Sequence, residues 1–150
     1  EKFTSNQFRM ISYQKGEKHG VSLKYHPEGT VSEILFWKNG MRHGQWQHFY
    51  EDSTIRMSAT FQQDTLHGKY MVWNPQKVSR IQGMYNMGQM DGEWIFYKDE
   101  GDIENRLEYD NGRLLNRESH EEWLKKYMDE IEEKLGEIPE VDFENFFERK

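Results

Sequence analysis

Trp37-Lys38-Asn39-Gly40-Met41-Arg42-His43-Gly44 has a counterpart 24 residues earlier, Tyr13-Gln14-Lys15-Gly16-Glu17-Lys18-His19-Gly20, and another 48 residues later, Tyr85-Asn86-Met87-Gly88-Gln89-Met90-Asp91-Gly92. Three columns run through these copies. One is glycine at Gly16, Gly40, Gly88 and Gly112, with Asp64 in the third slot; the second is glycine at Gly20, Gly44, Gly68 and Gly92; the third is aromatic at Tyr13, Trp37, Phe61, Tyr85 and Tyr109. Self-similarity at a fixed period of this size means one small supersecondary unit stacked on copies of itself, and such chains usually work as binding surfaces. Function is therefore expected on a face rather than in a pocket.

Within each copy the residues alternate with period two. Val31, Leu35 and Trp37 share one side against Ser32, Ile34 and Phe36; Ile55, Met57, Ala59 and Phe61 share one side in the next copy; Ile103, Leu107 and Tyr109 do so in the fourth. That is the pattern of a half-buried strand. The partner segments, 21–26, 45–50, 69–74 and 93–98, are dense in aromatic and β-branched residues. Asn39-Gly40 and Asn111-Gly112 favour type I′ hairpins, because both central positions accept positive φ, while Pro27-Glu28-Gly29 marks the second kind of turn. Gly20, Gly44, Gly68 and Gly92 fall at strand starts and read as bulge positions. The expected fold is mainly β: an elongated antiparallel meander of hairpin repeats with a 24-residue period, roughly nine strands wide.

From Ser119 the period becomes helical. Ser119 and Glu122 have capping-box spacing, Trp123, Leu124, Tyr127, Met128, Ile131 and Leu135 make an apolar stripe, and Gly136 and Pro139 end it. Glu121, Lys125, Lys126, Glu132 and Glu133 form the solvated side, and Val141, Phe143, Phe146 and Phe147 follow as a short helix or docking peptide. The expected division is a repeat domain over 1–117 and an acidic C-terminal helix and tail over 118–150 that packs on or caps the repeats.

Composition narrows the function. Only 35% of the 150 residues are apolar but 15% are aromatic, so rings must carry the burial. Of the net charge of −7, residues 119–150 hold −6, from 11 acidic and 5 basic side chains. Nucleic acid is disfavoured for want of a basic stripe, and an anionic membrane surface for the same reason. The absence of cysteine excludes disulfides and thiolate metal sites. The chain begins at Glu1 without methionine, which leaves room for a removed leader and favours an exported or periplasmic location over a cytoplasmic one.

The three octapeptides resemble the MORN repeat, in a bacterial variant class that carries an antitoxin label. The resemblance spans about residues 8–116 and implies a twisted row of β-hairpins; among members of the family it also implies phospholipid binding or dimeric scaffolding. Where the common repeat has a further glycine two positions after the His-Gly pair, this chain has Ser22, Trp46, Tyr70 and Trp94.

That substitution supplies the candidate site. Trp46, Tyr70 and Trp94 form one column and Phe49, Trp73 and Tyr97 another three positions later, on opposite faces if alternation is regular. Two readings stand: an exposed aromatic row for a protein partner or a flat glycan, or a stacked spine that holds the ribbon together. His19, His43 and His67 form a column too, but neighbours in it are about 9–10 Å apart by sheet spacing, too far to share a metal, so they are expected to close the turns. No catalytic fingerprint is present, and no cofactor or metal is expected. The expected function is a non-enzymatic protein-interaction scaffold, with glycan, cell-envelope or lipid-surface binding and antitoxin-like inhibition as alternatives. Open sheet edges at 7–13 and near Tyr109 offer a route to a homodimer.

Overall fold

The computed structural model describes residues 9–115 and 117–135. One antiparallel sheet takes the whole repeat region: β1 (Arg9–Gln14), β2 (Glu17–Tyr25), β3 (Val31–Lys38), β4 (Met41–Phe49), β5 (Ile55–Gln62), β6 (Thr65–Leu66), β7 (Gly68–Trp73), β8 (Ser79–Asn86), β9 (Gln89–Tyr97), β10 (Ile103–Asp110) and β11 (Arg113–Leu115). The strands lie in chain order, with β6 beside β5. A 3-10 turn (Arg117–His120) leads into α1 (Glu121–Leu135). The meander has eleven strands rather than nine. The third repeat's first strand is split at His67 into β6 and β7, and β11 begins a further repeat.

Turn chemistry sets the register. Asn39 and Gly40 both have positive φ (51° and 79°), as do Asn111 and Gly112 (45° and 88°), so the primed hairpin geometry expected of Asn-Gly is present. Asp64 takes the same place with φ 67°. After the turns at Gly16, Gly40 and Gly88 the following strand bulges. Leu35 pairs with Trp46 and Trp37 with Arg42, so one residue of β3 faces three of β4, His43 to Gln45. Gly44 lies in that bulge with φ 92°, a conformation that strains any side chain. On its other edge each glycine of this column pairs with the aromatic column: Gly20 with Trp37, Gly44 with Phe61, Gly68 with Tyr85 and Gly92 with Tyr109. Two columns that look independent in the sequence are cross-strand partners.

Consecutive repeats are also clipped at their turns. The carbonyls of Lys18, Arg42, Leu66 and Met90 accept hydrogen bonds from the N–H groups of Gly40, Asp64, Gly88 and Gly112, at 2.7–2.9 Å. These bonds satisfy turn groups that would otherwise depend on water.

Burial is one-sided. Met57, Ala59, Phe61, Val72, Ile81, Tyr85, Leu107 and Tyr109 are buried, as the alternation predicts. Ile103 is not: it is 44% exposed, because the register shifts between Ile103 and Asn105. Over the C-terminal part of this core face lies α1, with Leu124 and Tyr127 buried. Phe96 meets Trp123 and Tyr127 edge-on, each at 5.0 Å, and Trp123 Nε1–H donates to Glu104 at 2.7 Å. Glu121, Lys125 and Lys126 are exposed as the pattern requires. Ser119, expected to cap the helix, instead lies inside the 3-10 turn, and the α-helix starts at Glu121. The side chains of Ile131 and Leu135, and residues 136–150 with Val141, Phe143, Phe146 and Phe147, lie outside the described residues.

Candidate functional site

Trp46, Tyr70 and Trp94 are buried, at 2%, 1% and 0% exposure. Trp46 lies 5.3 Å from Phe61; Tyr70 and Trp94 are 5.6 Å apart, and Tyr85 packs edge-on against both. This column is a spine in the core, not a presented row. Small residues make it so: Ala59 pairs with Trp46 and Gly83 with Tyr70, so large rings alternate with gaps they can lean into. Phe49, Trp73 and Tyr97 are half-buried, and the Tyr97 hydroxyl donates to Gln82 at 2.9 Å. Burial raises the pKa of the Tyr70, Tyr109 and Tyr127 hydroxyls, so they stay neutral through the ordinary pH range.

Two histidines of the column, His19 and His67, and Asp91 in the fourth copy work at the turns. His19 Nδ1 accepts from Asn39 N–H at 3.4 Å, His67 Nδ1 from Met87 N–H at 3.1 Å, and Asp91 Oδ1 from Asn111 N–H at 2.9 Å. Asp91 replaces histidine without loss because all this position has to supply is an acceptor. Among the described residues no group of three or more His, Asp or Glu is placed to hold a metal ion.

What the sequence reading missed becomes visible when the core face is followed across the sheet. In the row Lys24, Glu33, His48, Met57, Val72, Ile81, Phe96, consecutive residues are cross-strand partners, and its polar members all come from the first two repeats. A second row follows the turns: Lys18 and Arg42 occupy the place taken by Leu66, Met90 and Leu114 in later copies. In these two rows the later copies are apolar and the first two are charged, while beside α1 the face also holds Glu104 and the buried Arg80. Comparing the copies position by position would have exposed this.

The charged part is organised around Glu33, which is only 7% exposed. Its carboxylate lies 3.1 Å from His48 Nε2 and 3.6 Å from Lys24 Nζ, and accepts from Trp46 Nε1–H at 3.4 Å. Burial alone pushes its pKa up; the close His48 ring, the Lys24 ammonium and the Trp46 N–H outweigh that and hold it below the usual glutamate value. Beside it, Lys18 lies 4.4 Å over the Trp37 ring and Arg42 4.4 Å over Phe61, with Arg42 also paired to Asp64. Trp37 Nε1–H donates to Ser22 Oγ at 2.9 Å. Lys24, Glu33, Leu35, Trp37, Arg42, Trp46, Phe61 and Asp64 line an open cleft of about 370 Å³. A second cleft of about 260 Å³, lined by Lys69, Met71, Gln82, Gly83, Met84, Glu93 and Ile95, lies farther along the sheet.

The family model described as "MORN repeat variant" matches residues 18–39, 42–63 and 90–111. The unmatched stretch between them holds β6, β7 and β8, which pair in phase with the rest, with Asp64 in the turn before β6 and Gly83 on β8. No curated protein matches the chain. Among solved structures, a chain of the crystal structure of the GtfA/B complex bound to UDP and GlcNAc is 12% identical over 81% of this chain, with a TM-score of 0.36. The match spans about a quarter (27%) of that chain's length.

Proposed function

We propose that this chain, a protein of MORN-variant repeats, is a non-enzymatic scaffold that binds a protein segment along the half of its core face that α1 leaves uncovered. The observation that carries this reading is the division of one face into two parts. Its C-terminal part receives an amphipathic helix through Phe96, Trp123 and Tyr127, and its N-terminal part keeps a cleft with Leu35, Trp46 and Phe61 beneath charged side chains. A face that already packs a helix has the width and spacing for another segment.

Two details favour protein over glycan. A sugar stacks on a bare ring, whereas Trp37 and Phe61 are covered by Lys18 and Arg42. The mixture of apolar floor and charged rim is that of a protein-interface core with its polar border. The binding site therefore shifts from the buried column Trp46, Tyr70 and Trp94 to Trp37 and the charges around it. A binding role is also supported by Glu33, whose carboxylate is already engaged by three neighbours instead of being aimed at a substrate.

The test is site-specific photocrosslinking in extract of the native host, with a photoreactive phenylalanine analogue at Trp37 or, as control, at Met84. A single protein crosslinked from Trp37, absent from Met84 and rebinding when purified, is the expected result. Crosslinking from Met84 alone would move the site to the second cleft and defeat the proposal.

A further inference from the structure

We infer that the outer edge of β1 takes up a β-strand from another polypeptide that carries the pattern Gly-x-aromatic, with its glycine opposite Tyr13. This surface is the end of the sheet, and the inference does not depend on the core-face reading above.

The pairing columns are the first argument. Wherever one repeat meets the next inside the sheet, the earlier repeat sets a glycine against the aromatic column of the later one: Gly20 against Trp37, Gly44 against Phe61, Gly68 against Tyr85 and Gly92 against Tyr109. Two residues on, Ser22, Trp46, Tyr70 and Trp94 face Leu35, Ala59, Gly83 and Leu107 at the same four junctions. A ring set across from a glycine covers backbone that the glycine itself leaves bare. Tyr13 is the first member of the aromatic column, and Ile11 stands in the column of Leu35, Ala59, Gly83 and Leu107. Among the described residues, however, β1 pairs with β2 alone. Tyr13 is accordingly 61% exposed, against 2%, 8% and 3% for Phe61, Tyr85 and Tyr109. One side of a repeat junction is thus built at β1. The side that would complete it has a defined sequence, a glycine facing Tyr13 and a ring two residues later facing Ile11.

Edge chemistry is the second argument. A strand at the end of a sheet is a template for another strand unless charge, proline or a covering element blunts it. Arg9-Met10-Ile11-Ser12-Tyr13-Gln14 has no lysine and no proline, and its single charge is at its start. Met10 is 54% exposed, so apolar surface accompanies the open edge. Strand addition of this kind draws affinity from main-chain hydrogen bonds and selectivity from alternate side chains.

A second folded copy of this chain does not meet the requirement. Its glycine-bearing strands β2, β4, β7 and β9 each have a neighbour on both sides. The equivalent strand of the last repeat, β11 (Arg113–Leu115), contains no glycine, and Asn116 stands at the glycine's place in the sequence. The strand must therefore come from a different polypeptide.

The probe is a synthetic peptide of residues 41–50, which holds Gly44-Gln45-Trp46, compared with its Gly44→Val form. Valine is the better strand former, so β-propensity alone would favour the variant. Each peptide is added to the full chain and followed by hydrogen exchange. The glycine peptide is expected to protect β1 while β8 to β10 stay unchanged, and the valine form to bind several-fold more weakly. Tyr13→Ser, a change at an exposed side chain, should lose several-fold affinity with an unaltered melting temperature. Joined ahead of Glu1 by a flexible Gly-Ser linker, which raises its local concentration, the glycine strand should raise the melting temperature and its valine form should not. Equal protection by both peptides would overturn the glycine pairing and with it the inference. So would protection of β1 by neither peptide and no gain from the linked strand, or light scattering that shows the edge already closed by a second copy and unprotected when Tyr13→Ser keeps the chain monomeric.

Discussion

Tyr70 and Trp94 stand on β7 and β9, strands that are not neighbours, yet their rings meet at 5.6 Å across Gly83. Strands two apart are separated by about 9–10 Å, so the contact exists only because the strand between them offers no side chain. A Cβ built on Gly83 would come within 2.1 Å of the Trp94 ring. Unlike the turn glycines, Gly83 has no positive φ; space, not backbone conformation, requires it.

Gly83→Ala should therefore destabilise the protein by about 1–3 kcal/mol, the usual cost of overpacking a tight core. The effect should appear in thermal unfolding and as altered near-ultraviolet dichroism from a displaced Trp94. A variant as stable as the parent, with the parent's spectrum, would show that Trp94 does not lie across this glycine.

Trp46 and Trp37 should separate stability from binding. Trp46 is 2% exposed and packs on Phe61, so Trp46→Ala should cost about 3–5 kcal/mol. Trp37 is half-buried at the open cleft, and Trp37→Ala should cost less stability but weaken binding of the purified partner. Denaturant titration beside a pull-down of that partner measures both. Equal loss of stability in the two variants would place Trp37 in the spine with Trp46.

Much of this was readable in the sequence because a repeat states its requirements several times over. Gly44, Asn39 and the aromatic column announce turn, bulge and buried side through backbone conformation and alternation, which act locally. The fate of Trp46, Tyr70 and Trp94 was not readable, since alternation assigns a residue to a side without saying whether that side is covered. Whether α1 lies over Phe96 depends on packing between segments far apart in the chain. Gly83 was hidden for another reason: it falls outside the glycine columns, and its role appears only when its cross-sheet neighbours are known. The cluster at Glu33 was legible in principle, from Met57 and Ile81 standing at the equivalent positions.

Asp64 offers a cleaner case, because two small effects oppose each other. Its φ of 67° costs an ordinary residue about 1 kcal/mol, which glycine would recover. Its side chain pairs with Arg42, but at the surface, where such a pair is worth under about 1 kcal/mol. Asp64→Gly should thus lie within about 0.5 kcal/mol of the parent, whereas Asp64→Ala keeps the strain and loses the pair, and should be about 1 kcal/mol less stable. Chemical denaturation of the two variants side by side checks the order; Ala at least as stable as Gly would contradict it.

Glu33 should give the protein a distinct acid response. Burial opposes its charge, but His48, Lys24 and Trp46 together favour it, so its pKa is lower in the folded state than the ordinary 4.5. A carboxyl with a depressed folded pKa contributes stability that is fully present above its unfolded pKa and is lost as pH falls through the folded value. Glu33→Gln removes the titration and leaves Lys24 and His48 facing a neutral group, at a cost of about 2 kcal/mol near pH 7. Melting temperatures of parent and variant should therefore differ at neutral pH and converge as the pH drops below about 4.5, where protonation makes the parent resemble the variant. A constant gap down to strongly acidic pH would mean that the glutamate's shape, not its charge, matters at this site. A gap that widens in acid would require the opposite shift and would contradict the ion-pair geometry of the cluster.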